Sequence, residues 1–165
     1  MPFRKAPLTS VLLPATDGSE VDLAGLPGCT VLYAYPRTSP PDGPPIEGWD
    51  MIPGAKGCTP QACSFRDHFE DLKAAGADRV FGLSTQSTGF QSEVVERLHL
   101  PFPLLSDEAL ELQKALGLPV FEAGGMVLFR RFTLVIRNGK TVMGFYPVPA
   151  PDQNAFEVLD YLRGG

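Results

Sequence analysis

Apolar and polar positions along the chain follow two alternating rhythms. Dense short runs at Ser10–Pro14, Thr30–Tyr35, Arg79–Ser84, Arg131–Ile136 and Thr141–Tyr146 read as strands. TVLYAY shows no polar alternation after Thr30, which predicts a central strand covered on both faces. Between these runs the apolar residues recur at helical spacing. Phe65, Phe69 and Leu72 share one face over Thr59–Ala75, and Gly76 stands where a helix stop belongs. Thr88–Leu98 reads as a second helix. Asp107–Leu116 reads as a third, with Ser106 or Asp107 as its N-cap and Gly117 as its stop. Asp152 is expected to cap a closing helix that runs to about Leu162. Val21–Leu23 folds back on Ser10–Pro14 across the ATDGSE turn, and Asn138-Gly139 in RNGK is the strongest hairpin signal in the chain. The order β(β)βαβααββα predicts an α/β sandwich whose late hairpin pairs antiparallel on a sheet of otherwise crossover-linked strands.

Length and charge narrow the function. The 165 residues, 44% hydrophobic, suit one domain over residues 1–165 with one core. A net charge of −5 without a basic cluster gives nucleic-acid binding no electrostatic support. Arg4 and Lys5 precede an apolar stretch that Thr9, Ser10 and Pro14 break too early for an export signal, and no run reaches the roughly 20 apolar residues of a membrane span. Three cysteines, an odd number, argue against a structural disulfide framework and for a reduced, cytoplasmic setting.

One stretch breaks the pattern. The 21 residues between Pro36 and Cys58 carry no periodicity but include Pro40, Pro41, Pro44, Pro45 and Pro53. Connections longer than about 12–15 residues are usually functional or disordered. The prolines stiffen this one, and Ile46, Trp49, Met51 and Ile52 give it groups with which to dock, so a wall or lid over the following helix is expected.

That helix opens on Cys58. Unpaired N–H groups and the dipole at a helix N-terminus favour an anion, and Lys56 stands two residues ahead; both lower a thiol pKa. A thiolate nucleophile belongs there. Cys63, five positions on, can attack a sulfenic acid formed on Cys58. Cys29 opens a buried strand and reads as an inert core thiol. Metal binding by Cys58, Cys63 and His68 is disfavoured, because C-x4-C-x4-H lacks the C-x2-C turns of zinc sites and no fourth ligand is evident. Neither His68 nor His99 has a catalytic role by this reading, and no cofactor is expected.

GCTPQACSFRDHF, preceded by VLYAYP, resembles the atypical two-cysteine peroxiredoxins of the bacterioferritin comigratory protein, or peroxiredoxin Q, group. The resemblance continues through DGSEVDLAGL, FGLSTQS, FPLLSDE and RFTLVIRNGK in the same order, and so runs nearly end to end. It implies a thioredoxin-like fold, a mixed central sheet flanked by helices. It also implies reduction of hydrogen peroxide and organic hydroperoxides with electrons from thioredoxin or a similar dithiol, by a chain acting as a monomer. Cys58 takes the peroxidatic position, Cys63 the resolving one, Thr59 and Gln61 the polar first turn, and Arg131 the arginine beside the thiolate. From the residues alone, Arg131 is equally a strand-start surface charge like Arg130 and Arg137. The family usually carries proline seven and threonine three residues before its peroxidatic cysteine, where this chain has Met51 and Ala55. Pro36 and Thr38, or Pro53, are the candidates to replace them. A redox-sensing or disulfide-exchange module on the same fold, with slow peroxide turnover, is the alternative expectation.

Overall fold

The computed structural model describes residues 7–37 and 58–164. The proline-rich insert, with Thr38, Trp49, Met51, Pro53, Ala55 and Lys56, lies outside them, as does the Cys58 side chain. Strands β1 (Leu12–Pro14) and β2 (Glu20–Asp22) pair antiparallel, and a 3-10 turn at Leu23–Gly25 follows. The Asp22 side chain caps that turn by accepting from the Ala24 amide at 3.0 Å. The central strand β3 (Cys29–Ala34) has every residue buried, in agreement with its unbroken apolar run.

Helix α1 (Cys58–Asp67) leads into α2 (Phe69–Ala74), β4 (Arg79–Ser84) and α3 (Thr88–Leu98). Then come β5 (Leu104–Ser106), α4 (Glu111–Leu116), β6 (Val120–Ala123) and β7 (Met126–Phe129). The chain closes with β8 (Phe132–Arg137), β9 (Lys140–Phe145), a 3-10 turn at Pro151–Gln153 and α5 (Asn154–Leu162). A five-stranded sheet in the order β5-β4-β3-β8-β9 forms the centre. β3, β4 and β5 are parallel, whereas β8 runs antiparallel to β3 and β9 to β8. This is the mixed sheet flanked by helices that the residue pattern implied.

Because side chains alternate along a strand, the sheet has two cores. Val31, Tyr33, Val80 and Val135 pack with Phe65 and Leu72 of the α1–α2 pair and with Val158 of α5. Leu32, Ala34, Phe81, Leu83 and Leu134 pack with Leu13, Leu112 and Phe129 on the other side. Tyr33 stacks on Phe65 with ring centroids 4.6 Å apart, which seats α1 on the sheet. Gly82 makes room for that tyrosine: a Cβ there would lie 2.8 Å from the ring and 2.5 Å from Leu104. Overpacking of this kind costs about 1–3 kcal/mol. In the β8–β9 hairpin Asn138 and Gly139 both adopt positive φ, 51° and 77°, as a type I′ turn requires.

Several boundaries differ from expectation. The helix expected over 59–75 breaks at His68, whose backbone leaves helical geometry (φ −102°, ψ 9°) while its Nδ1 bonds the Ser64 carbonyl at 2.9 Å. The apolar stripe survives the break, since Phe65 and Leu72 are both fully buried. The third helix begins at Glu111 instead of Asp107, because Leu110 takes the left-handed conformation (φ 60°). Asp107 still caps it from a distance, accepting from the amides of Leu112 (3.0 Å) and Gln113 (2.9 Å). Asp152 does not cap the closing helix. Its carboxylate accepts from Gln153 Nε2 instead, because the 3-10 turn intervenes. The strand expected from Arg131 starts one residue later. β5, with two leucines and a serine, is too short to show periodicity, and the β6–β7 hairpin was not anticipated.

Candidate active site

The site grows from the junction of α1 with the carboxyl end of β3. In the β3–β8 register Ala34 faces Phe132 and Cys29 faces Arg137, so residues just before Phe132 sit at the end of β3 where α1 begins its packing. Arg131 occupies that place with only 3% of its surface exposed. Its Nη1 donates to Gln61 Oε1 at 2.6 Å, and Gln61 is itself fully buried. Gln61 Nε2 donates to Asn154 Oδ1 at 3.2 Å, and Thr133 Oγ1 donates to the same oxygen at 2.5 Å. Four side chains from α1, the β7–β8 junction, β8 and α5 thus form one buried polar chain. Buried polar groups are costly unless partnered, and here each printed contact joins a donor to an acceptor.

The expected site residues separate accordingly. Gln61 and Arg131 are brought into direct contact across 70 positions of sequence. Cys58 supplies the first residue of α1, three positions ahead of Gln61 and therefore within one turn of it. Thr59 is exposed on the same turn. Cys63 lies further along α1, half-buried and outside any disulfide. The surface-charge reading of Arg131 fails, because its neighbours behave differently: Arg130 lies 5.5 Å over the Phe121 ring and Arg137 is exposed.

Cys29 is placed elsewhere. It is 2% exposed at the amino end of β3, roughly 17 Å along the strand from Ala34. Burial pushes its thiol pKa up, which keeps it protonated and unreactive. His68 meets Phe156 edge-on at 5.0 Å, and His99 ends α3 in the left-handed conformation. Among the described residues no cluster of histidine, cysteine and carboxylate side chains could hold a metal, and no helix is long and apolar enough to cross a membrane.

The residue-level reading missed Asn154 and Thr133. Thr133 gave a usable signal, a hydroxyl inside the otherwise apolar FTLVI strand on the face that meets α1. Asn154 gave little, since a polar residue ahead of an amphipathic helix reads as a cap.

A nucleophile-bearing helix start beside a buried guanidinium, on a mixed sheet of this order, defines a thiol-active redox class. The redoxin family model matches residues 4–159. Peroxiredoxin Q of Suaeda salsa chloroplasts is 31% identical over 148 residues, which cover 89% of this chain and 61% of that protein. The chain thus spans about three-fifths of the length of the first of the curated relatives it matches. The Mycobacterium tuberculosis peroxidoxin BcpB has the same fold, with a TM-score of 0.75, 25% identity and coverage of 98% of this chain and 97% of that one. The Xanthomonas campestris bacterioferritin comigratory protein, whose structures bear on its alkyl peroxide reduction, superposes with a TM-score of 0.74 at 22% identity over 96% of this chain and 98% of that one. The chain belongs to the redoxin family and to its peroxiredoxin Q, or bacterioferritin comigratory protein, group.

Proposed function

We propose that the protein is a thiol peroxidase that reduces hydrogen peroxide and alkyl hydroperoxides. The observation that carries this reading is the buried Arg131 guanidinium, bonded to Gln61 one helical turn from Cys58. The Cys58 thiolate attacks one peroxide oxygen; the O–O bond breaks, an S–O bond forms, and the second oxygen leaves with a proton as water or alcohol. Arg131 and first-turn amides, with Thr59 at the open side, stabilise the charge that grows on the leaving oxygen. The Cys63 thiol then attacks the Cys58 sulfenic acid, releasing water and closing a disulfide. An external dithiol of the thioredoxin type, in a reducing cytoplasm, exchanges with that disulfide and restores both thiols.

Closure needs a change of backbone. Cys58 and Cys63 stand on one regular helix, and five residues of helix separate their Cα atoms by about 8.6 Å. A disulfide requires Cα atoms within about 7 Å. Part of α1 must therefore unwind in the second step. Stopped-flow oxidation of the reduced protein tests the scheme. Cys58→Ser should remove peroxide consumption, Cys29→Ser should leave most of it, and Cys63→Ser should take up one equivalent and stall with oxygen adducts on Cys58. Consumption that survives in the Cys58 variant would end the proposal. Disulfide formation with slow turnover would favour the redox-sensing alternative, for which Ala55, in place of the family's threonine, is the sequence argument.

A further inference from the structure

The buried polar chain has a fixed sense. A guanidinium only donates, so the Gln61 atom facing Arg131 must be its oxygen, which leaves Nε2 to donate. The partner of Nε2 must accept, so Asn154 presents Oδ1, and Thr133 donates to that same oxygen. Reversing either amide would set donor against donor. Asn154 and Thr133 belong to α5 and β8, elements that do not contribute the nucleophile. All four side chains are at least 97% buried, so water is a poor substitute for a lost partner.

We infer that Asn154, supported by Thr133, is a positioning residue that holds Gln61 in register with Arg131 and thereby sets the balance between peroxide attack and disulfide closure. The inference rests on the peroxidase reading. Attack uses the folded first turn of α1, in which Gln61 and Arg131 are engaged. Closure needs that turn open, which pulls Gln61 away from both Arg131 and Asn154. One hydrogen-bonded stay therefore favours the first step and opposes the second. A residue that only contributed to general stability would slow or spare both together.

Asn154→Leu removes the acceptor at similar volume. Attack on hydrogen peroxide by the reduced variant should slow about tenfold, the scale of one buried hydrogen bond, while conversion of sulfenic acid to disulfide should quicken by a comparable factor. The pH dependence of Cys58 alkylation should move to higher pH. In a Gln61→Leu background, adding Asn154→Leu should change the attack rate no further, because the effect passes through Gln61. Thr133→Val keeps Asn154 in place and should give shifts of the same signs at about threefold, with Thr133→Ser restoring wild-type rates; this pair decides the matter if Asn154→Leu folds poorly. Additive effects of positions 61 and 154, or two rates falling together, would overturn the inference. Wild-type protein that fails to react at Cys58 would overturn the peroxidase reading instead, so the two failures are told apart by the wild-type trace alone.

Discussion

Among the described residues two charged side chains are almost fully buried, Arg131 beside the carboxyl end of β3 and Asp107 just after β5. They lie on opposite faces of the sheet and are satisfied in opposite ways. Asp107 accepts from the amides of Leu112 and Gln113, five and six residues away, so its partners arrive with the local chain. Arg131 reaches Gln61 across 70 positions and, through it, side chains of α5 and β8. A buried charge held by nearby backbone amides starts a helix and has little left to give. A buried cation held by a side-chain relay, within a turn of a cysteine, is placed to act on charge that appears during a reaction.

The largest expected difference between the two centres is in the rate of peroxide attack. Arg131→Met should slow oxidation of Cys58 by one or more orders of magnitude, as is usual for loss of an electrostatic contact to developing charge. Asp107→Asn should leave that rate within about twofold, since its partners are the local amides of α4, and Arg130→Met should do little more. Stopped-flow traces of the three variants under identical conditions make the comparison. Equal slowing in the Arg130 and Arg131 variants would mean that general positive charge matters and the relay does not.

Much of this contrast was legible in the residues, and the reasons for the gaps are physical. The Cys58 helix start, the strand before it and the type I′ hairpin are local, carried by apolar spacing and turn chemistry within a few positions. Arg131 was legible only through the motif resemblance, because its burial follows from the β3–β8 register, which no short window contains. Asn154 joins the site through a packing of α5 on α1. The break at His68 went unread because a single side-chain bond to the Ser64 carbonyl interrupts a helix without disturbing its apolar stripe. Asp107 was recognised as a cap, yet the left-handed Leu110 that lengthens its reach has no signature in a residue type that rarely adopts that conformation.

Oxidation should distinguish the two faces again, through protection of backbone amides. If α1 must open to join Cys58 to Cys63, amides from Ala62 to Asp67 should lose protection in the oxidised protein, while α4 and its Asp107 cap keep theirs. The expected loss is large locally, toward the exchange of an unfolded segment, and near zero elsewhere. Hydrogen exchange with mass detection on reduced and peroxide-treated protein reads both helices at once. Full protection over α1 after oxidation would place the resolving thiol outside this helix.

The smallest effect concerns the pH dependence of stability, where the acidic centre departs from ordinary surface carboxylates. Burial raises the Asp107 pKa above its usual 3.8, and the amides of Leu112 and Gln113 pull against burial without cancelling it. Below 3.8 the carboxyl is protonated in both folded and unfolded chains, and the shift adds nothing. As pH rises past 3.8 the unfolded chain releases its proton first, so the folded state is progressively disfavoured until the pH passes the raised folded value; above that the difference is constant. This is the reverse of a carboxylate held by a salt bridge, whose contribution appears as pH rises. Asp107→Asn cannot titrate, and it serves as the reference that removes all other groups from the comparison. Denaturant melts of both proteins across the acidic range should show the wild type losing ground to Asp107→Asn as pH increases, although at neutral pH the carboxylate keeps two amide partners where asparagine has one acceptor oxygen. A wild type that gains on Asp107→Asn over the same range would show that the amide bonds outweigh burial, and would make this centre an anion site more like the start of α1 than the comparison allows.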